Sequence, residues 1–165
     1  MKDTILIREM VSNDWEQVKE IYHQGLDCNI ATFQTTCPNY EEWDLGHLED
    51  CRFVAVIGNK IVGWIALSAT SKRAVYKGVV EVSIYVDSHA SKQGVGTKLM
   101  EHLIKDSESK GYWSLYSSVI EENMASIALH TKSGFRKIGY REKIAKDRFG
   151  NWHNTILFEK RSSLI

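Results

Sequence analysis

The chain has 165 residues, 43% of them apolar and 10% aromatic, enough for one domain with a genuine core. Lys and Arg total 21 and Asp and Glu total 21, so the formal charge is zero, which argues against nucleic acid or an anionic membrane as a partner held by charge. No apolar run reaches the roughly 18 to 20 residues of a bilayer span, and residues 1–4 open into a short apolar stretch cut at Arg8 rather than a secretory segment. A cytoplasmic protein built as one domain over residues 1–165 is expected.

Ile5-Leu6-Ile7 predicts a first strand, and Ser12 or Asn13 is placed to cap a helix carrying Trp15, Val18, Ile21 and Tyr22 on one face. A second helix after Pro38-Asn39 carries Trp43 and Leu48. Residues 52–57 and 60–67 read as two strands joined by Gly58-Asn59, both tolerant of positive φ. A third strand covers 79–86. Its end runs through 87–93 into Gly94-Val95-Gly96, where a helix with Leu99 and Leu103 on its apolar side begins and stops at Gly111. Residues 112–119 form another strand, 123–132 a short helix closed by Gly134, and 135–141 with 152–159 a final strand pair. The order β-α-α-β-β-β-α-β-α-β-β describes an α+β domain with a mixed, mostly antiparallel central sheet flanked by helices.

Cys28, Cys37 and Cys51 are odd in number and widely spaced, so they form neither a disulfide framework nor a C-x-x-C motif. The six histidines show no metal-ligand spacing, and no metal is expected. The chemistry then belongs to ordinary side chains, backbone groups or an organic cosubstrate.

A strand that feeds a glycine turn opening a helix offers free backbone N–H groups and the positive end of a helix dipole, a seat for a pyrophosphate. Gly94-x-Gly96 also fits a helix entry that merely needs room for packing. It does not fit the P-loop, because Thr97 follows Gly96, or the dinucleotide fingerprint, because Leu99 holds the third glycine position.

Ile84-Tyr85-Val86-Asp87, the turn ending Gln93-Gly94-Val95-Gly96, and the run from Glu122-Asn123 through His130 to Ser133-Gly134-Phe135 resemble the GNAT acyl-CoA-dependent N-acetyltransferases. Ala31-Thr32-Phe33, Arg73-Ala74-Val75-Tyr76, Glu81 and Gly150-Asn151-Trp152-His153 are similar to its branch of phosphinothricin acetyltransferases and amino-acid N-acyltransferases. Ser91, Gln34 and Lys77 depart from the branch pattern, the first in the turn and the others toward the substrate.

The resemblance implies a GNAT fold that binds acetyl-CoA through Tyr85, Val86, Gln93, Gly94, Val95, Gly96, Thr97, Lys98, Asn123 and Ser126. It implies transfer of acetyl to the primary amine of a small amino-acid-like acceptor, directly, within a ternary complex. An α-amino group with pKa about 8 is mostly protonated at neutral pH, so a nearby base removes a real obstacle. Glu81, a carboxylate in the apolar run Val79-Val80-Glu81-Val82, is the implied base; an outward-facing strand glutamate is the plain alternative. The backbone N–H of Val86 is the implied donor to the thioester carbonyl, an effect of about 3 kcal/mol per donor. Asn123 suits both the pantetheine arm and a helix cap. His130 stands where many GNAT enzymes place a general acid, and a solvent-facing helix histidine is its plain alternative. Phe33, Arg73, Lys77, Trp152 and His153 are the implied acceptor contacts. Homodimerisation is expected from the branch. A non-catalytic acyl-CoA sensor, and an acetyltransferase acting on protein N-termini or lysines, are the competing functions.

Overall fold

The computed structural model describes residues 3–165 and follows the predicted element order throughout. Strand β1 (Ile5–Glu9) leads through a 3-10 turn at Ser12–Asp14 into helix α1 (Trp15–Asp27) and then helix α2 (Tyr40–Gly46). Strands β2 (Phe53–Ile57), β3 (Lys60–Ala69) and β4 (Val79–Val86) form a meander. Helix α3 (Val95–Ser109), strand β5 (Ser114–Ile120), helix α4 (Met124–Lys132) and strands β6 (Arg136–Lys146) and β7 (Trp152–Arg161) complete the chain.

The seven strands make one sheet in the order β1-β2-β3-β4-β5-β7-β6. All neighbours are antiparallel except β4 and β5, because α3 returns the chain to the starting end of β4 before β5 begins. The parallel pair meets at Val79↔Ser114, Val80↔Leu115 and Glu81↔Tyr116 and nowhere beyond. Residues 82–86 and 117–120 therefore diverge. A Cβ on Gly78 would lie 2.0 Å from Cε3 of Trp113, so only glycine lets the two strands start side by side. The Gly78 carbonyl also accepts from the N–H of Trp113 at 2.9 Å and of Ser114 at 3.1 Å.

Period-two alternation sends successive strand residues to opposite faces. Val80 and Val82 of β4 join Leu99 and Leu103 of α3, Leu115 of β5 and Phe158 of β7 in one core. Glu81, Ser83 and Tyr85 thereby face the other side, where Val18, Ile21 and Tyr22 of α1 and Trp43 of α2 pack on Val54, Trp64 and Ala66. Each such buried side chain contributes about 1.5–3 kcal/mol of transfer free energy.

Some local expectations change. Neither Ser12 nor Asn13 caps α1. Asp14 organises that entry instead, accepting from the Val11 N–H at 2.9 Å and from both terminal nitrogens of Arg8 at 2.7 and 2.8 Å. Helix α2 is capped by Asn39, whose Oδ1 accepts from the Glu42 N–H at 2.9 Å, but it ends before Leu48 because His47 is extended. In the β2–β3 hairpin Gly58 takes φ +60°, whereas Asn59 does not enter the left-handed region. Strands β6 and β7 outrun the prediction, and the register shift between Arg141 and Ala145, with Lys143 at φ +47°, interrupts the alternation that marks a strand in sequence.

Candidate active site

The divergence of β4 from β5 opens a cavity of about 470 Å3. Its walls are residues 81–85 of β4, residues 117–120 of β5, Asn123, Ser126 and His130 around α4, and residues 31–34 of the α1–α2 loop. Trp43, His47 and Trp64 close the side toward α1 and α2.

Glu81 occupies the point where the strands separate. It faces the cavity and not solvent, which excludes the outward-facing alternative. Burial pushes its carboxyl above the usual carboxylate range. Tyr85, two turns of alternation further along β4, stacks on Trp64 with ring centroids 4.9 Å apart, and burial raises its phenol.

His130 is 1% exposed, its ring stacked on Phe158 and edge-on to Phe135. Its Nδ1 lies 2.7 Å from the Ser126 carbonyl oxygen, and a carbonyl only accepts, so Nδ1 carries the proton. Burial lowers the pKa of this histidine, which keeps the ring neutral and leaves Nε2 as a buried acceptor without a partner. Asn123 Oδ1 caps α4 by accepting from the Ser126 N–H at 3.2 Å, so a structural duty and a place on the cavity wall coincide in one residue.

The glycine turn lies beside this cavity and not in its wall. Gly94 sits at φ +88° directly before α3, a conformation that L side chains resist. Among the described residues, no backbone carbonyl accepts from the N–H groups of Gln93, Gly94, Val95, Gly96 or Thr97. That array of free donors at a helix start is suited to an anion. A Cβ on Gly96 would come within 3.2 Å of Leu129 on α4 and 3.7 Å of Val86, so the turn packs closely against the helix that carries His130. The Val95 side chain is buried in the core beneath, which leaves only its backbone free for a ligand; Gln93 and Lys98 are exposed, and Thr97 is half-buried. Asp87, 2% exposed, braces the approach to the turn through Lys60 Nζ at 3.0 Å, the His89 N–H at 3.0 Å and Gln24 Nε2 at 3.3 Å.

The implied acceptor contacts divide. Phe33 lines the cavity. Arg73 and Lys77 are exposed on the β3–β4 connection, with the Arg73 guanidinium 5.4 Å from the Tyr76 ring centre, and neither reaches the cavity wall. Trp152, 54% exposed, lies under Lys146 Nζ on the far strand pair. His153 is buried with Nε2 hydrogen-bonded to Asp147 at 2.7 Å, while Nδ1 lies 3.2 Å from a Glu122 carboxylate oxygen without making a hydrogen bond to it. The linear pattern does not single out Tyr22, Trp43, His47, Trp64, Ser68, Ser117 or Thr155 as cavity walls. Of these, Ser68 had a usable signal: it sits in an otherwise apolar strand, and the register pairs it with Glu81.

Among the described residues, no group of three or more His, Cys, Asp or Glu side chains converges to hold a metal ion. None of their helices is long and apolar enough to cross a membrane.

Comparison with known proteins agrees with this geometry. The profile of the acetyltransferase (GNAT) family matches residues 15–135. A phosphinothricin N-acetyltransferase of Streptomyces viridochromogenes is 26% identical over 159 residues, covering 93% of this chain and 86% of the relative. One from Alcaligenes faecalis is 31% identical over 160 residues, covering 93% and 81%. The crystal structure of a GNAT superfamily phosphinothricin acetyltransferase from Sinorhizobium meliloti in complex with acetyl-CoA superposes with a TM-score of 0.85 at 26% identity, over 98% of this chain and 89% of that one. The split sheet, the glycine turn and these matches agree: the chain belongs to the GNAT family of acetyltransferases.

Proposed function

We propose that the protein transfers an acetyl group from acetyl-CoA to the primary amine of a small amino-acid-like acceptor, directly, with both substrates bound together. The observation that carries this reading is the position of Glu81: a carboxyl with a raised pKa at the apex of the β4–β5 split, on the wall of a cavity that also reaches His130 and Asn123. The relatives named above are phosphinothricin acetyltransferases, and methionine sulfoximine/methionine sulfone acetyltransferases of Pseudomonas are 31% identical over 77 residues.

The residues fit acetyl-CoA. The free N–H groups at residues 93–97 suit its diphosphate, and the divergent strands leave a slot toward Glu81 for its arm. When bound, it supplies an activated acyl carbon. Glu81 takes the proton that an ammonium acceptor must lose before it can attack. With Nδ1 facing the Ser126 carbonyl and burial favouring the neutral ring, His130 enters this reading as an acceptor at Nε2 and acts as the acid only afterwards. Its part is to accept at Nε2 the second proton shed as the C–N bond forms, and to return it to the departing sulfur. Val86 N–H polarises the carbonyl, and Phe33 packs on the acceptor. Homodimerisation places its contact on the edge strand β6, which exposes Ile138, Tyr140 and Ile144.

Release of free thiol from acetyl-CoA, followed with a panel of primary amines, tests the reading. Turnover that collapses in Glu81→Gln supports it. No turnover with any amine overturns it, and acetyl-CoA binding without any turnover that Glu81→Gln alters supports the sensor instead.

A further inference from the structure

Loop 28–39 carries Ala31, Thr32, Phe33 and Gln34 to the cavity wall without any regular secondary structure of its own. Loops of this length hold a shape only where something outside them fixes it. Here the fixing group comes from far along the chain. Asp147, at the tip of the β6–β7 hairpin, has a side chain only 3% exposed. Its Oδ2 accepts from Asn29 Nδ2 at 2.9 Å and from Asn151 Nδ2 at 3.3 Å, and lies 2.7 Å from His153 Nε2. Its Oδ1 accepts from the N–H groups of Phe149 at 2.8 Å and Asn151 at 3.0 Å.

Two of these partners bear on the cavity. Asn29 stands at φ +60°, a left-handed conformation that turns the chain out of α1 and into the wall segment. His153 packs its ring 6.2 Å from that of Phe33, and its Nδ1 lies 3.2 Å from Glu122, the residue before Asn123. Arg148 adds a weaker contact, 3.8 Å from Asp27 at the end of α1.

We propose that Asp147 is a positioning residue for the acceptor wall: it clamps Asn29 and His153 together and so holds residues 29–34 over the cavity. The clamp is a buried carboxylate with donors on every side, and breaking it by removing one partner leaves a desolvated group unpaired. The groups facing His153 are both acidic, Asp147 from the hairpin and Glu122 from the β5–α4 turn, and they raise its pKa; Asp147 itself is lowered, chiefly by His153. The imidazolium form of His153 therefore belongs to the closed clamp, and the clamp loosens as pH rises through the raised pKa of His153.

The effect on catalysis rests on the acetyltransferase reading, but the clamp is measured without substrate. In the intact protein, the His153 ring titrates by NMR above the ordinary histidine value of about 6.5. In Asp147→Asn that titration falls, and amide hydrogen exchange in residues 29–34 accelerates about tenfold or more while α3 and β5 keep their protection. Asn29→Gly keeps the left-handed turn but removes the amide contact, and gives the same selective acceleration if Asp147→Asn fails to fold. With an amine that turns over, both variants raise the acceptor KM about tenfold and leave the acetyl-CoA Kd unchanged. Unchanged exchange in residues 29–34, or a His153 titration at or below the ordinary value in the intact protein, overturns the clamp. Failure of every amine to react leaves the exchange and NMR results standing.

Discussion

Glu81 and Tyr116 are the last residues of β4 and β5 to lie opposite one another, so a carboxyl stands where the sheet begins to open. Beyond it β4 and β5 no longer pair, and burial of the side chain on the cavity wall raises the pKa of the group. Replacing Glu81 by Gln keeps the shape and removes the base. The expected result is a fall in kcat of about 10²- to 10⁴-fold with acetyl-CoA affinity retained, read by thiol release and calorimetry. Because the base form is the working one, the rate of the parent enzyme rises with pH through the raised pKa of Glu81, and Glu81→Gln loses that limb.

Gly94 adopts φ +88° with open space where a Cβ would stand, so Gly94→Ala meets backbone strain and no clash. The expected loss is about 1–2 kcal/mol of stability in urea unfolding. Gly96→Val differs: its Cβ already presses on Leu129, and the added methyl groups push α4 from the turn. Acetyl-CoA affinity measured by calorimetry falls about tenfold or more in Gly96→Val.

Phe33 lines the cavity and Trp152 does not, although the same family resemblance points to both. Phe33→Ala is expected to raise the acceptor KM about tenfold, and Trp152→Ala to leave it within about threefold, in steady-state assays of the two variants side by side.

Strand β4 and the glycine turn were legible because their signals are local: a β-branched run, then glycine where φ must be positive. Glu81 was legible as a candidate base because a carboxyl among valines is costly unless used or paired, and the family resemblance pointed to the same residue. The acceptor side was not, because Trp43 and Trp64 join Tyr85 only through packing of α2 and β3, and His153 meets Asp147 across a hairpin whose register shifts break the alternation. Proximity in sequence put Arg73 near Glu81, but the β3–β4 connection carries it outward into solvent.

Asp87 gives a test in acid. Its hydrogen bonds hold its pKa well below the usual carboxylate range, so the stabilisation it provides is fully present above about pH 4 and is lost as pH falls through the folded-state value. Asp87→Asn is expected to lower stability by on the order of 1 kcal/mol at neutral pH and to flatten the acid limb of the stability curve, measured by urea titration between pH 2 and 7.

The seam of three residue pairs between β4 and β5, locked at its base by Trp113 under Gly78, has the geometry of a fulcrum. From Glu81 to Val86 the strand reaches about 16 Å, so a twist of about 5° at the seam moves the far rim by about 1.4 Å without breaking a rung of either half-sheet. On this geometry the rim is the part free to adjust and the seam the stiff part, and Glu81, the proposed proton acceptor, belongs to the seam.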